Sequence, residues 1–262
     1  MAEHGSDLTP MGEAFDYDGS KVDYVSYRQT DPVIEAQIHK ALGDAQTILN
    51  VGGGAGSYEP VDRYVVAIEP SVEMRRKRST TRPAVIGIAE QLPFDDKSFD
   101  ASMAIFTIHH WKDLRRGLEE MRRVTRGPVV IVSCDPLRLY DFWMVEYGKE
   151  VLDIEARRYP AIDTVKGCFG EDTVVTSVSI PRDCRDGFQE AYYARPERLL
   201  DDHVRAAQSA WGFLSKDVEQ DIVQRLRTAL RDGSWDRQFG HFRTAPTFEG
   251  SLRVITSPGE LR

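Results

Sequence analysis

Ile48-Leu49-Asn50-Val51-Gly52-Gly53-Gly54-Ala55-Gly56-Ser57-Tyr58 begins as an apolar, β-branched segment and runs into a cluster of glycines. A second apolar run, Tyr64-Val65-Val66-Ala67-Ile68, then delivers Glu69 at its end. A strand, a tight glycine turn, a helix and a second strand with an acid at its tip make the unit that holds a nucleoside ligand at the carboxyl edge of a parallel sheet. Glycine suits such a turn because a Cβ would collide with a ligand that approaches the backbone.

Spacing narrows the choice of ligand. A dinucleotide fingerprint has glycine first, third and sixth, and counted from Gly52 the sixth position is Ser57. The glycines fall instead at Gly52, Gly54 and Gly56. That spacing resembles motif I of the class I S-adenosylmethionine (SAM) methyltransferases. The resemblance continues in order through Glu69-Pro70, Ala89-Glu90-Gln91-Leu92-Pro93 and His109-His110-Trp111, covering roughly residues 45–135, about a third of the chain. It is closest in kind to the small-molecule, methyltransferase type 11-like branch.

The resemblance implies an α/β fold: a Rossmann-like, seven-stranded, mostly parallel sheet with helices on both faces and a C-terminal helical cap insertion. It implies SAM as cofactor and a methyl group moved to O, N or C of a small metabolite. Asn50, Gly52, Gly54 and Gly56 would form the cofactor turn, and Glu69, with Pro70 beside it, would accept from the ribose hydroxyls. Ala89, Glu90 and Gln91 would read adenine, with Leu92 over the ring. Tyr27 and Arg28, with Phe15 and Tyr17 upstream, look like an arm that folds over the cofactor or simply anchors to the surface. Asn50 departs from the family, which carries Asp or Glu here; losing that charge predicts weaker binding, since charge-assisted hydrogen bonds are roughly twice as strong as neutral ones.

Methyl transfer is an in-line displacement, so placement and an apolar enclosure matter most, with a base needed for some O–H or N–H acceptors. His109 and His110, at the carboxyl edge, are candidate bases; the other reading is that they hydrogen-bond the turn. Trp111, Asp135, Trp143, Tyr147, Tyr192 and Arg195 are candidate substrate contacts, although rings of this kind equally make ordinary core and arginines ordinary ion pairs. The basic run Arg75-Arg76-Lys77-Arg78 reads as a solvated helix end that complements the macrodipole.

Composition sets outer bounds. The 262 residues are 41% hydrophobic and 29% charged, with a net charge of −8. An acidic balance argues against a broad nucleic-acid or anionic-membrane surface and favours a small-molecule partner. Three widely spaced cysteines, Cys134, Cys168 and Cys184, read as free thiols, the sharper alternative being the three-thiolate substrate site of arsenic methyltransferases. No metal is expected. The start lacks the basic and apolar segments of a secretory signal, so a cytoplasmic location is expected; the chain is expected to be a monomer or homodimer. The pattern divides the chain into an arm (1–30), a cofactor core (31–180 with 251–262) and a cap (181–250, with 137–170 contributing).

Three other functions fit parts of the pattern. A SAM-binding protein without transferase activity would keep the motifs, with Asn50 a mark of decay. A methylase of nucleic-acid amino groups would carry Asn/Asp-Pro-Pro-aromatic where this chain has Ile108-His109-His110-Trp111. A nicotinamide dehydrogenase is opposed by Ser57.

Overall fold

The structure, a computed structural model, describes residues 24–259; Phe15 and Tyr17 lie outside them. Helix α1 (Tyr24–Tyr27) precedes α2 (Pro32–Leu42), which Asp31 caps by accepting from the N–H groups of Val33 and Ile34. Then follow β1 (Thr47–Val51), β2 (Tyr64–Ile68), α3 (Val72–Arg76), β3 (Ala84–Val85), β4 (Ala101–Ile105), α4 (Leu114–Val124) and β5 (Val129–Cys134). The second half holds α5 (Val145–Arg158), α6 (Ile162–Phe169), β6 (Val174–Ser177), β7 (Ile180–Pro181), α7 (Asp202–Ala206), α8 (Lys216–Asp232), α9 (Ser234–Phe239), β8 (Thr247–Phe248) and β9 (Leu252–Ser257).

Seven strands form one sheet in the order β3-β2-β1-β4-β5-β9-β6. The first five run parallel, and β9 is inserted antiparallel to both β5 and β6. The order reverses between β1 and β4, so the chains leaving those two strands diverge and open a crevice at the carboxyl edge. Side chains alternate across the sheet with period two. Ile48, Met103, Val130 and Val132 join the core under α2, whereas Leu49, Ala104, Val129 and Ile131 join the one under α4. Both faces are buried, which is why the central strands are continuous apolar runs rather than alternating ones.

The chain after β1 differs from the sequence reading. No helix separates β1 from β2; residues 52–63 form only turns, because four glycines and Pro60 leave too little chain that can propagate one. The fourth strand ends at Ile105, since Phe106 takes a left-handed conformation (φ 53°) and Ile108–His110 wind into a 3₁₀ turn. The cap segment that follows β5 begins with a 3₁₀ turn at Leu139–Asp141 and continues as α5, which leaves helical geometry at Gly148. Two short strands follow α6: Val174–Ser177 joins the main sheet, and Ile180–Pro181 pairs with Thr247–Phe248 apart from it.

The region after β5 has two destinations. Helix α6 lies beside α4 and β9, with Val165 buried in the core under α4, so it covers a sheet face rather than the carboxyl edge. Helices α5, α8 and α9 pack with one another, and Trp143 and Trp235 meet edge to face with ring centres 5.5 Å apart. Among the described residues no helix is long and apolar enough to cross a membrane.

Leu118, wholly buried on α4, faces the sheet with Met121 and Val124. Leu118→Ala is expected to lower unfolding free energy by about 2–5 kcal/mol, the usual cost of a Leu-sized core cavity. Urea denaturation checks this; a loss under about 1 kcal/mol would place α4 off the core.

Candidate active site

A cavity of about 600 Å³ opens at the carboxyl edge of β1, β2 and β4. The glycine turn forms one wall. Gly52 has φ 69°, and a Cβ there would lie 2.0 Å from Thr107 Oγ1, so backbone and neighbour both demand glycine. Gly52 and Gly53 both donate their N–H to the carbonyl of Ile68, at 2.8 and 3.0 Å. Gly54, with φ 48°, donates to Glu69 Oε2 at 2.8 Å, while Ser71 N–H donates to Glu69 Oε1 at 2.8 Å. Glu69 thus ties the turn to the start of α3. A carboxylate has about four acceptor positions, so lone pairs remain on the cavity side.

Behind the turn lies a buried polar cluster that the sequence did not reveal. Asn50 Nδ2 donates to Glu59 Oε1 at 2.9 Å, and Arg78 Nη2 donates to both Glu59 oxygens at 2.7 and 2.9 Å. Arg78 Nη1 also donates to the carbonyls of Gly53 and Gly54, each at 3.1 Å. The Arg78 and Glu59 side chains are 3% and 2% exposed. Arg78 therefore leaves the solvated run to which it belongs in sequence. Asn50 is among the residues that line the cavity, and its Oδ1 has no hydrogen-bond partner among the described residues.

Tyr58 closes the turn in a left-handed conformation (φ 63°). Thr30 Oγ1 accepts from its N–H and the His39 ring meets its carbonyl, while its hydroxyl donates to Asp186 Oδ2 at 2.8 Å. Arg28 Nε donates to the other Asp186 oxygen at 2.5 Å. The N-terminal segment, the glycine turn and the second half of the chain therefore converge on one carboxylate. Burial, then Asp186, pushes the Tyr58 phenol far above its usual range, so it stays a donor.

The two histidines part company. His110 lines the large cavity; His109 is buried and lines a second, smaller one. Their rings lie 3.9 Å apart, and Tyr159 packs on His109 at 4.3 Å. Burial, then the neighbouring His110, holds His109 well below its ordinary proton affinity. Burial, then Arg158, lowers His110 to about 4. Both rings are neutral at physiological pH.

The remaining sequence candidates are distributed as follows. Pro70, Ala89, Glu90, Trp111 and Arg28 line the large cavity. Glu90 Oε1 accepts from the N–H groups of Lys112 and Asp113 at the start of α4, a helix-capping role beside the cavity. Gln91 is exposed outside the cavity, and Leu92 is buried in the core under α4 rather than over the cavity. Gly56 sits behind the turn, next to Arg78 and Glu59. Tyr27 lines neither cavity; its ring stacks on His203. Asp135, Trp143, Tyr147, Tyr192 and Arg195 line neither cavity as well. Trp143 donates to the Tyr193 carbonyl within the core, Arg195 holds the carbonyls of Cys184 and Ala191, and Asp135 approaches Arg253. Tyr147 and Tyr192 are buried packing residues. Among the described residues, His, Cys, Asp and Glu form no cluster able to hold a metal, and the three cysteines do not converge.

The carboxyl-edge crevice, the glycine turn and the acid at the tip of β2 are features of the class I SAM-dependent methyltransferase fold. Residues 49–132, about a third of the chain, match a methyltransferase-domain family model. An uncharacterized protein of Methanocaldococcus jannaschii is 30% identical over 118 residues, 44% of this chain and 47% of its own. The demethylmenaquinone methyltransferase of Paenarthrobacter aurescens is 36% identical over 127 residues, 45% of this chain and 49% of its own. The chain thus spans about half the length of these curated relatives. A proposed methyltransferase of an antibiotic biosynthesis pathway in Anabaena variabilis superposes with a TM-score of 0.82 at 26% identity, covering 89% of this chain and 99% of that one. A SAM-dependent methyltransferase structure from Thermotoga maritima, with a TM-score of 0.51 at 16% identity, shares the fold.

SAM is the cofactor of this class, and the cavity fits it on two observations: an unpartnered buried acceptor, Asn50 Oδ1, and a turn whose glycines leave the backbone open. Asn50→Asp would set a second carboxylate within about 3 Å of Glu59. It is expected to lower the melting temperature and weaken S-adenosylhomocysteine binding, and Glu59→Gln in the same chain to restore both, a coupling of about 1–3 kcal/mol. Additive losses in the double variant would refute the coupling.

The histidines predict a pH dependence. Their folded affinities lie below the unfolded value of about 6.5, so the unfolded chain binds more protons as pH falls toward 4. Stability is full above about 6.5 and drains away below it. Urea unfolding across that window should show a shallower slope for His110→Asn than for wild type; equal slopes would mean that His110 is solvated.

Proposed function

We propose that this chain transfers the methyl group of SAM to an O, N or C atom of a small metabolite. The observation that carries this reading is the Glu69 carboxylate at the tip of β2, locked against the glycine turn and lining a cavity of about 600 Å³. When bound, SAM supplies a methyl group on a positively charged sulfur. Glu69 would accept from paired hydroxyls with its remaining lone pairs, and Asn50 Oδ1 from an ammonium group. Ile88, Ala89 and Met74 offer an apolar wall for a flat ring.

The protein's contribution to rate is placement and exclusion of water. Holding two reactants in line contributes about 7–11 kcal/mol toward the barrier. A neutral His110 adds no positive charge beside a cationic group, and its lowered proton affinity makes it a weak base at neutral pH. An acceptor that needs little base assistance suits such a site. The net charge of −8 disfavours a nucleic-acid substrate, and the Paenarthrobacter relative is named for a small molecule.

Calorimetric titration tests the assignment directly. SAM and S-adenosylhomocysteine are expected to bind in the micromolar range and NAD to give no heat. Glu69→Ala should weaken S-adenosylhomocysteine about tenfold, roughly 1.4 kcal/mol, without a change in melting temperature beyond a few degrees. Heat from NAD alone, or an unchanged affinity in the variant, would overturn the reading.

A further inference from the structure

A second cavity, of about 40 Å³, lies against the large one, and Arg28 and Phe106 line both. Its wall carries three polar side chains at least nine-tenths buried, each with an atom that has no partner among the described residues: Gln189 Nε2, Gln208 Oε1 and His109 Nδ1. The orientation of both amides follows from their engaged halves. Trp211 Nε1 can only donate, and it donates to Gln189 Oε1 at 2.9 Å, which leaves the Gln189 NH₂ as the free group. The Val204 carbonyl can only accept, and it accepts from Gln208 Nε2 at 3.1 Å, which leaves the Gln208 oxygen free. Two residues of the cavity wall thus carry one free donor and one free acceptor.

Its charges limit the ligand further. Glu155 and Glu190 also line it; Glu190 is 2% exposed and accepts from Ser251 N–H and Oγ, both at 2.8 Å. Burial raises Glu155 above its ordinary value and Glu190 to about 7. A ligand anion would meet these carboxyl groups, while the nearby Arg28 is committed to Asp186. A purely apolar ligand would leave the two amide groups desolvated and unmatched, which costs affinity. We propose that this cavity is the acceptor subsite, and that it takes the polar head of a neutral substrate whose carboxamide-like edge accepts from Gln189 and donates to Gln208. Phe106 and Phe188, with ring centres 5.5 Å apart, flank the head, and the rest of the substrate extends past Arg28 and Phe106 toward the larger cavity. A space this small holds a head group, not a whole metabolite.

The inference rests on the methyltransferase reading for the role of the subsite, so the test separates the two. Benzamide, benzoate and toluene share one shape and differ in their polar edge. Ligand-observed NMR on the full chain, alone and saturated with S-adenosylhomocysteine, is expected to show benzamide binding about tenfold more tightly than either other probe without displacing the nucleoside. Gln189→Leu and Gln208→Leu should each weaken benzamide about fivefold or more and leave S-adenosylhomocysteine affinity unchanged, which also reports that the variants fold. If a variant does not fold, the ranking of the three probes on wild type decides. Equal binding of the three, displacement of the nucleoside by benzamide, insensitivity to both substitutions, or no benzamide binding because the cavity holds water alone would each overturn the subsite. Loss of nucleoside binding with the benzamide preference intact would instead overturn the methyltransferase reading and leave the polar pocket standing.

Discussion

The turn between β1 and β2 has no helix behind it, so something else must hold three consecutive glycines in one shape. Arg78 and Glu59 do so. Moving either charge out of water costs several kcal/mol, and a bare buried pair rarely recovers that cost. Here the guanidinium also binds two carbonyls of the turn, and the carboxylate also takes the Asn50 amide, so few donors or acceptors are left unmatched. From the other side Glu69 takes the Gly54 N–H and Ile68 takes those of Gly52 and Gly53. The turn is thereby fixed by charge on one flank and by the sheet on the other, and the cavity inherits its shape.

Much of this architecture was legible in the residues. Parallel strands buried on both faces are predominantly apolar, and β1, β2, β4 and β5 are, with Asn50, Ser102 and Ser133 as buried polar exceptions. The acid at the end of β2 and the glycines at the end of β1 could be placed because each depends on its own strand. What could not be read were features that depend on residues far apart. Arg78 closes a basic run and would be taken for a solvated residue; its burial depends on Glu59, which sits in a separate loop. The end of β4 is not legible in sequence because Phe106 and Thr107 look like more strand, and only the left-handed turn at Phe106 shows otherwise. Aromatic residues misled for a related reason: Trp143, Tyr147 and Tyr192 have the composition of a binding wall, but core and cavity rings are chemically alike.

The second half of the chain reaches the site by few, strong contacts. Asp186 receives Tyr58 from the glycine turn and Arg28 from the N-terminal segment, and Arg28 also lies over the Phe106 ring at 5.5 Å. A change at any of these four residues reaches both cavities, because Arg28 and Phe106 belong to each wall. Cofactor cavity and polar pocket are in this sense one structure divided by a guanidinium and a ring. The stacked pair His109 and His110 makes a second division, one imidazole facing each side.

Asn50 gains a different meaning in this setting. Taken alone, an amide where related sequences hold a carboxylate suggests a site losing its ligand. A decaying site loses supporting contacts as well, and this one has kept them: the Asn50 amide is engaged, the carboxylate it contacts is present at Glu59, and Arg78 balances that charge. Restoring an acid at position 50 would place two carboxylates against one guanidinium in a volume with almost no water, where like charges cannot both stay ionised. The carboxylate sits in the loop at Glu59, and the amide lets the end of β1 bind it while keeping one unpartnered acceptor on a residue that lines the cavity.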